Sequence, residues 1–261
     1  MILKGSVSSH ILEMETGITV ITPTDIVPEQ SRKVVYLLHG LYGGNGDWVN
    51  YTMLPYFAWD YRATFIMPEV ARSFYTDMEH GQRFFTYITE ELPRLCEGTF
   101  NISSKREDTA VIGVSMGGYG ALKAALTVPS RYGCCCAMSS VWLFLKESLE
   151  DLRTERGRKV ALARYGKQMV DDMRSIFGDD LAWRPDCELL ELAKQTQQER
   201  GKPRIYCACG TEDYLRADNL RFAAEMEKLE LDFTYEEWKG RHDWYFFNEA
   251  LKKSLEFCFK D

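Results

Sequence analysis

The sequence predicts an α/β fold: a mostly parallel sheet with helices on both faces. Three observations predict it. Short β-type runs alternate with longer segments of helical periodicity, as in chained strand–helix units. The central runs are continuously apolar, as strands covered on both sides must be. The chain has 261 residues, 45% hydrophobic and 27% charged, which suits one large globular domain and excludes disordered, collagenous or coiled-coil classes.

Gly17 to Thr22 (GITVIT) reads as a strand ending near Pro23. Val34 to Leu38 (VVYLL) and Ala63 to Met67 (ATFIM) are buried-strand runs, the second stopped by Pro68. From Gln82 to Cys96, the residues Phe84, Phe85, Ile88, Leu92 and Leu95 recur at helical spacing. Thr109 to Gly113 is a short strand, and Gly117 to Thr127 an Ala- and Leu-rich helix stopped by Pro129. Strands follow at Gly133 to Met138, Arg204 to Ala208 and Asp232 to Glu236, with helices at Arg216 to Leu229 and Trp244 to Phe257. The interval 141–202 is charged, helical in pattern and without a clear strand. No Gly/Ser linker flanks it. The reading is one domain over 1–261, with 141–202 as a helical, lid-like insertion.

Lys plus Arg is 32 and Asp plus Glu is 39, a net charge of −7. Such a chain has no overall field drawing it to phosphate backbones, so nucleic acid is not an expected partner. No run approaches the roughly 18 apolar residues of a membrane span, and MILKGSVSSHILEMETG lacks a signal-peptide pattern. A cytoplasmic protein is expected, and eight cysteines without a disulfide-framework spacing agree. The adjacent Cys134, Cys135 and Cys136 and the Cys207/Cys209 pair lie in apolar segments, where thiols act as small hydrophobes. A C-x-C pair without a second C-x2-C or a nearby His is weak for zinc, so no metal and no cofactor is expected. Oligomeric state is not legible; a homo-oligomer stays open.

The segment carrying chemistry is Gly113-Val114-Ser115-Met116-Gly117, a G-x-S-x-G between a predicted strand and a predicted helix. That context makes a nucleophile elbow: a sharp turn projects the serine oxygen from the sheet edge, and its neighbours must be nearly free of side chain. A serine nucleophile needs a base, and the base an orienting acid. In this architecture the chain order is Ser, acid, His. Of His10, His39, His80 and His242, only His242 lies after Ser115. The acid is expected in the turn after the strand Arg204 to Ala208, where Glu212 and Asp213 stand side by side. Asp213 is preferred because it lies deeper in the turn; spacing alone leaves Glu212 as a rival. Asp218 and Asp243 are poorer, one inside a helix and the other adjoining the base. The backbone N–H of Met116 is one expected oxyanion donor. The second is assigned to Leu41, in the loop His39-Gly40-Leu41-Tyr42-Gly43-Gly44. His39 is expected to shape that loop through hydrogen bonds.

With these residues in place, the chain resembles the esterase D (Putative esterase) family of α/β-hydrolases, which includes S-formylglutathione hydrolases, tributyrin esterases, and feruloyl and acetyl-xylan esterases. The resemblance runs along nearly the whole chain, through LLHGLYGGNGDW (37–48), SFYTD (73–77), GVSMGGYGAL (113–122), GTEDYLRADN (210–219) and GRHDWYFF (240–247). It implies an α/β-hydrolase fold with Ser115 as nucleophile, Asp213 as acid, His242 as base, and Leu41 and Met116 as oxyanion donors. The HGLYGGNGDW loop and the GTEDYL segment look most like the tributyrin-esterase branch. The cysteine cluster and the long segment after Trp142 match no defined substrate group.

Specificity is expected from loops at the carboxyl ends of the strands. The candidates are Tyr42, Trp48, Phe74, Tyr75, Trp142 and Phe144, with Tyr75 and His80 toward the alcohol part. The function read from the sequence is a serine carboxylesterase for short-chain acyl esters, with acetyl esters of oligosaccharides as one substrate class. Feruloyl esterase and S-formylglutathione hydrolase are the alternatives sharing the triad. A catalytically silent binding module is the alternative of a different class.

Overall fold

Eight strands form one sheet in the order β1-β2-β4-β3-β5-β6-β7-β8 in the computed structural model, which describes residues 1–24 and 32–259. The strands are β1 (Ile2–Ser9), β2 (Met14–Ile21), β3 (Val34–Leu38), β4 (Thr64–Pro68), β5 (Thr109–Val114), β6 (Cys134–Met138), β7 (Arg204–Gly210) and β8 (Phe233–Trp238). The two pairings β1/β2 and β2/β4 are antiparallel, and the remaining pairings are parallel. This is the α/β-hydrolase fold expected from the sequence.

The sequence pattern located seven of these strands and did not indicate β1. Six of its eight residues are exposed and it forms the sheet edge, so no buried face imposes a period on it. β2 begins at Met14, three residues before the apolar run, because its first residues pair with β1. Strands β3, β4, β5 and β6 are buried throughout, which explains their unbroken apolar runs.

The helices are α1 (Asp47–Tyr51), α2 (Leu54–Tyr61), α3 (Phe84–Thr86), α4 (Leu92–Phe100), α5 (Met116–Thr127), α6 (Leu145–Arg153), α7 (Glu155–Tyr165), α8 (Lys167–Phe177), α9 (Leu189–Thr196), α10 (Arg216–Met226) and α11 (Trp244–Phe259). The helix expected over 82–96 is broken by a π turn at Tyr87–Glu91, where the Leu92 N–H reaches back to Tyr87 O. Pro93 follows and has no N–H for a regular bond to Thr89, so the wider turn falls where the ladder lacks a donor. The short α1 and α2 were not legible in the pattern. The segment between β6 and β7 is helical, as expected, and holds α6 to α9.

Helices cover both faces. Val111, Tyr119, Leu122, Leu145, Met173 and Phe222 belong to one buried cluster. Trp48, Leu54, Ile112, Phe246, Leu251 and Leu255 belong to the other. After β3 the chain moves to β4 on one side, and β5 returns on the other side of β3. That reversal opens a crevice at the carboxyl ends of β3 and β5, where open α/β sheets bind ligands. Leu38 and Val114 are the last residues of these two strands, so the loop at His39 and the serine at 115 face each other across the crevice.

Candidate active site

Ser115 occupies the turn between β5 and α5 with φ 56° and ψ −116°. A non-glycine residue in that region is strained and persists only where the surroundings over-determine it. The constraints are visible. The Ser115 N–H donates to Met138 O at 2.9 Å. A Cβ on Gly113 would lie 2.0 Å from Gly117 O, and one on Gly117 would lie 2.3 Å from Leu38 O. The elbow is therefore closed by backbone against backbone, and only glycine fits at either position. Met116 is the first residue of α5, so its N–H has no intrahelical acceptor four residues back.

Ser115 and His242 both line a cavity of about 1100 Å³. His242 sits between β8 and α11, and its Nδ1 lies 2.9 Å from Asp213 Oδ2. Asp213, in the turn after β7, has a side chain with no exposed surface. Its other oxygen accepts the Leu215 N–H at 2.8 Å. Burial pushes the Asp213 carboxyl up, but the hydrogen bond and charge of His242 and the Leu215 N–H outweigh it and hold it below its ordinary range. Glu212, its rival in sequence, is exposed and pairs with Arg241 at 3.0 Å. Asp243 is occupied otherwise: its Oδ1 accepts the N–H groups of Tyr245 and Phe246 at the start of α11. The His242 ring is flanked by Tyr214 at 4.9 Å and by Phe247, edge-on, at 5.2 Å.

The loop after β3 faces the elbow. Gly40 and Leu41 line the cavity beside Ser115. His39 is buried and braces this loop. Its Nδ1 donates to Gly40 O at 2.8 Å, and its Nε2 lies 3.3 Å from the Val70 nitrogen. Glu69 lies 3.4 Å from Nε2. Burial raises the Glu69 carboxyl, but His39 and the N–H groups of Ala71 and Asn45 overcome this and bring it down to about 2.

Two aromatic residues expected at the substrate lie elsewhere. Trp48 and Tyr75 have no exposed surface and do not line the cavity. Trp48 Nε1 donates to Leu38 O at 3.3 Å, and the Tyr75 hydroxyl donates to His39 O at 3.0 Å. They hold the end of β3 and its loop from behind, because a buried aromatic donor needs an acceptor and these carbonyls supply one. His80 is exposed and also lies outside the cavity lining.

Tyr42, Phe74, Trp142 and Phe144 do line the cavity. Phe74 and Trp142 stack with centroids 3.6 Å apart and planes 15° apart. Trp142 has φ 56° and Phe74 φ 50°, so both turn into the stack from left-handed backbone. Arg221 covers the Phe144 ring at 3.8 Å and pairs with Glu147. Helices α6 to α8 contribute Ser148, Leu152, Val160, Arg164, Tyr165 and Met173 to the lining. The sequence pattern missed these, together with Tyr214 and Phe247. Tyr214 directly follows the chosen acid, which was the one available signal.

A serine elbow, a buried carboxylate–imidazole pair and glycine-bearing backbone around one cavity are the parts acyl transfer requires. Fold and site define a carboxylic ester hydrolase of the α/β-hydrolase class. The chain belongs to the Putative esterase family, whose model matches residues 9–258. It is similar to an acetyl esterase of Caldicellulosiruptor saccharolyticus, 29% identical over 99% of this chain and 98% of that protein. Among solved structures it resembles the substrate-bound fluorophosphonate-binding serine hydrolase F of Staphylococcus aureus, with a TM-score of 0.84 and 25% identity over 100% of this chain and 99% of that one. A second neighbour in fold is the S-formylglutathione hydrolase of the same organism, with a TM-score of 0.82 and 24% identity over 100% and 99% of the two chains.

Proposed function

We propose that Ser115, His242 and Asp213 are the working triad of this esterase, and that it removes short acyl groups from a larger, polar alcohol. The observation that carries this is the position of His242: one ring nitrogen is held by buried Asp213, and the residue lines the same cavity as Ser115. With Nδ1–H donated to the carboxylate, Nε2 is left as the base. It takes the Ser115 proton as the serine oxygen attacks the ester carbonyl. The N–H groups of Met116 and Leu41 receive the oxyanion. The imidazolium protonates the departing alcohol. Water, deprotonated by the same nitrogen, then releases the acyl group and restores Ser115. Asp213 keeps the imidazole in the useful tautomer and stabilises its cation.

The lining supports the substrate class. Phe74, Val141, Trp142 and Leu143 make an apolar wall suited to a small acyl group. Glu147, Asp151, Arg164 and Asp218 lie in the same cavity and suit a hydroxyl-rich alcohol. Acetylated oligosaccharides combine both features, and the acetyl esterase relative points the same way. We read the chain as one domain in which 141–202 is an insertion whose helices act as a lid over this cavity. We place the enzyme in the cytoplasm on its eight free cysteines. Among the described residues, no helix is long and apolar enough to cross a membrane.

The test is a panel of p-nitrophenyl acetate, butyrate and octanoate, methyl ferulate, S-formylglutathione and an acetylated xylo-oligosaccharide, run with wild type and Ser115→Ala. Expected are turnover of acetyl esters above all others, its loss in the variant, and Ser115-dependent labelling by a fluorophosphonate probe. A preference for ferulate or the thioester would overturn the substrate reading. Absence of both labelling and turnover in folded protein would overturn the triad.

A further inference from the structure

Away from the cavity, the structure brings Cys258 to two thiols that lie more than 120 positions earlier in the sequence. Cys134 and Cys136 are two residues apart on β6 and so face the same side of the sheet. Cys258, in the last turns of α11, reaches them from the covering layer. The Cys258 sulfur lies 2.7 Å from that of Cys134 and 3.5 Å from that of Cys136, and all three sulfurs fall within 4.8 Å of one another. Among the described residues, no carboxylate or imidazole joins the group. Cys135, between the two strand ligands, points into the opposite core cluster and stays out.

We propose that Cys134, Cys136 and Cys258 form a three-thiolate site for a soft monovalent cation, copper(I). The donor set argues for this ion. Three sulfurs and no oxygen or nitrogen side chain exclude magnesium, calcium and manganese, which take oxygen ligands. Structural zinc takes four ligands, and the cluster offers three. Copper(I) is selected by thiolates. A metal–thiolate bond of about 2.3 Å places the corners of a trigonal site about 4 Å apart, so on loading the Cys258 sulfur moves outward from its present 2.7 Å to Cys134 and 3.5 Å to Cys136. The cluster carries a nearby positive charge, since the Arg204 guanidinium donates to Cys258 O at 3.1 Å. Access is from the α11 side: Cys258 is 9% and Cys134 5% exposed, whereas Cys136 is sealed. On loading, three S–H protons pass to solvent as three S–Cu bonds form, and copper stays in the monovalent state throughout. The bound ion ties the sheet to the final helix, and none of the three cysteines lines the cavity that holds Ser115, so the site is independent of the esterase reading.

The experiment uses the full-length protein, reduced and anaerobic, titrated with copper(I) supplied as its bicinchoninate complex. Expected is withdrawal of one equivalent, three sulfur scatterers at about 2.3 Å by X-ray absorption, and a rise in Tm of several degrees. Cys134→Ser, Cys136→Ser and Cys258→Ala should each weaken uptake at least tenfold while ester turnover is retained; Cys207→Ser should leave uptake unchanged. No withdrawal of copper by the wild-type protein would overturn the site, as would uptake insensitive to the three substitutions. A Cys134–Cys258 disulfide on exposure to air, found in a protein that takes no copper when reduced, would identify the cluster as a thiol pair instead. Sulfur coordination in the wild type decides the matter even if a variant fails to fold.

Discussion

Asp213 divides its two carboxylate oxygens between His242, at 2.9 Å from Nδ1, and the Leu215 N–H, at 2.8 Å, with no part of its side chain exposed. The carboxylate is thus locked by its own turn, and the imidazole is locked by the carboxylate. Asp213→Asn should lower kcat on p-nitrophenyl acetate on the order of 10⁴-fold with the fold intact, because an amide presents the wrong partner to the ring. Glu212→Gln should change kcat less than about twofold, since it removes only an exposed pair with Arg241. Equal losses in both variants would remove Asp213 from its assigned role.

The closed backbone of the elbow predicts the effect of a single methyl group. Gly117→Ala places a carbon 2.3 Å from Leu38 O, which belongs to a central strand and cannot step aside cheaply. The expected outcome is a loss of about 1–3 kcal/mol in urea unfolding, with turnover falling further than stability because the loop proposed to receive the oxyanion follows Leu38. Normal activity and stability would mean that the elbow is looser than its geometry states.

The Phe74–Trp142 stack should set acyl-chain length. Trp142→Ala removes one face of the stack and opens the apolar wall beside the serine. The octanoate-to-acetate ratio of kcat/KM should rise, and stability should fall by less than the about 3–5 kcal/mol of emptying a fully buried aromatic site, because Trp142 is only half-buried. An unchanged chain-length ratio would place the acyl group elsewhere in the cavity.

Glu69 gives an acid-stability test. Its carboxyl is held down to about 2 in the folded protein, against an ordinary value of 4.5. A depressed carboxyl contributes stability that is fully present above 4.5 and is lost as pH falls through about 2. The unfolding free energy of the wild type should therefore decline between those values more steeply than that of Glu69→Gln. At pH 7 the variant should also be less stable by about 1–2 kcal/mol, because Asn45 and Ala71 lose a charged acceptor. Parallel pH curves for the two proteins would separate Glu69 from the loop.

Much of this protein is readable before any coordinates. Continuous apolar runs mark β3 to β6 because both sheet faces are covered, and G-x-S-x-G between a strand and a helix marks the elbow because local backbone sterics demand it. His242 follows from chain order alone. The exposed edge strand β1 left no period to read. The choice between Asp213 and Glu212 came down to which carboxylate the turn buries. Trp48 and Tyr75 illustrate the larger limit: an aromatic residue beside a site motif has the same letter whether it faces substrate or braces the strand behind it, and only packing distinguishes the two. The same holds for Cys258, which joins Cys134 and Cys136 from more than 120 positions away. Short-range sterics and periodicity are written residue by residue. Which side chains meet across the sheet is decided by how α11 and the 141–202 helices pack, and that is a property of the whole folded chain.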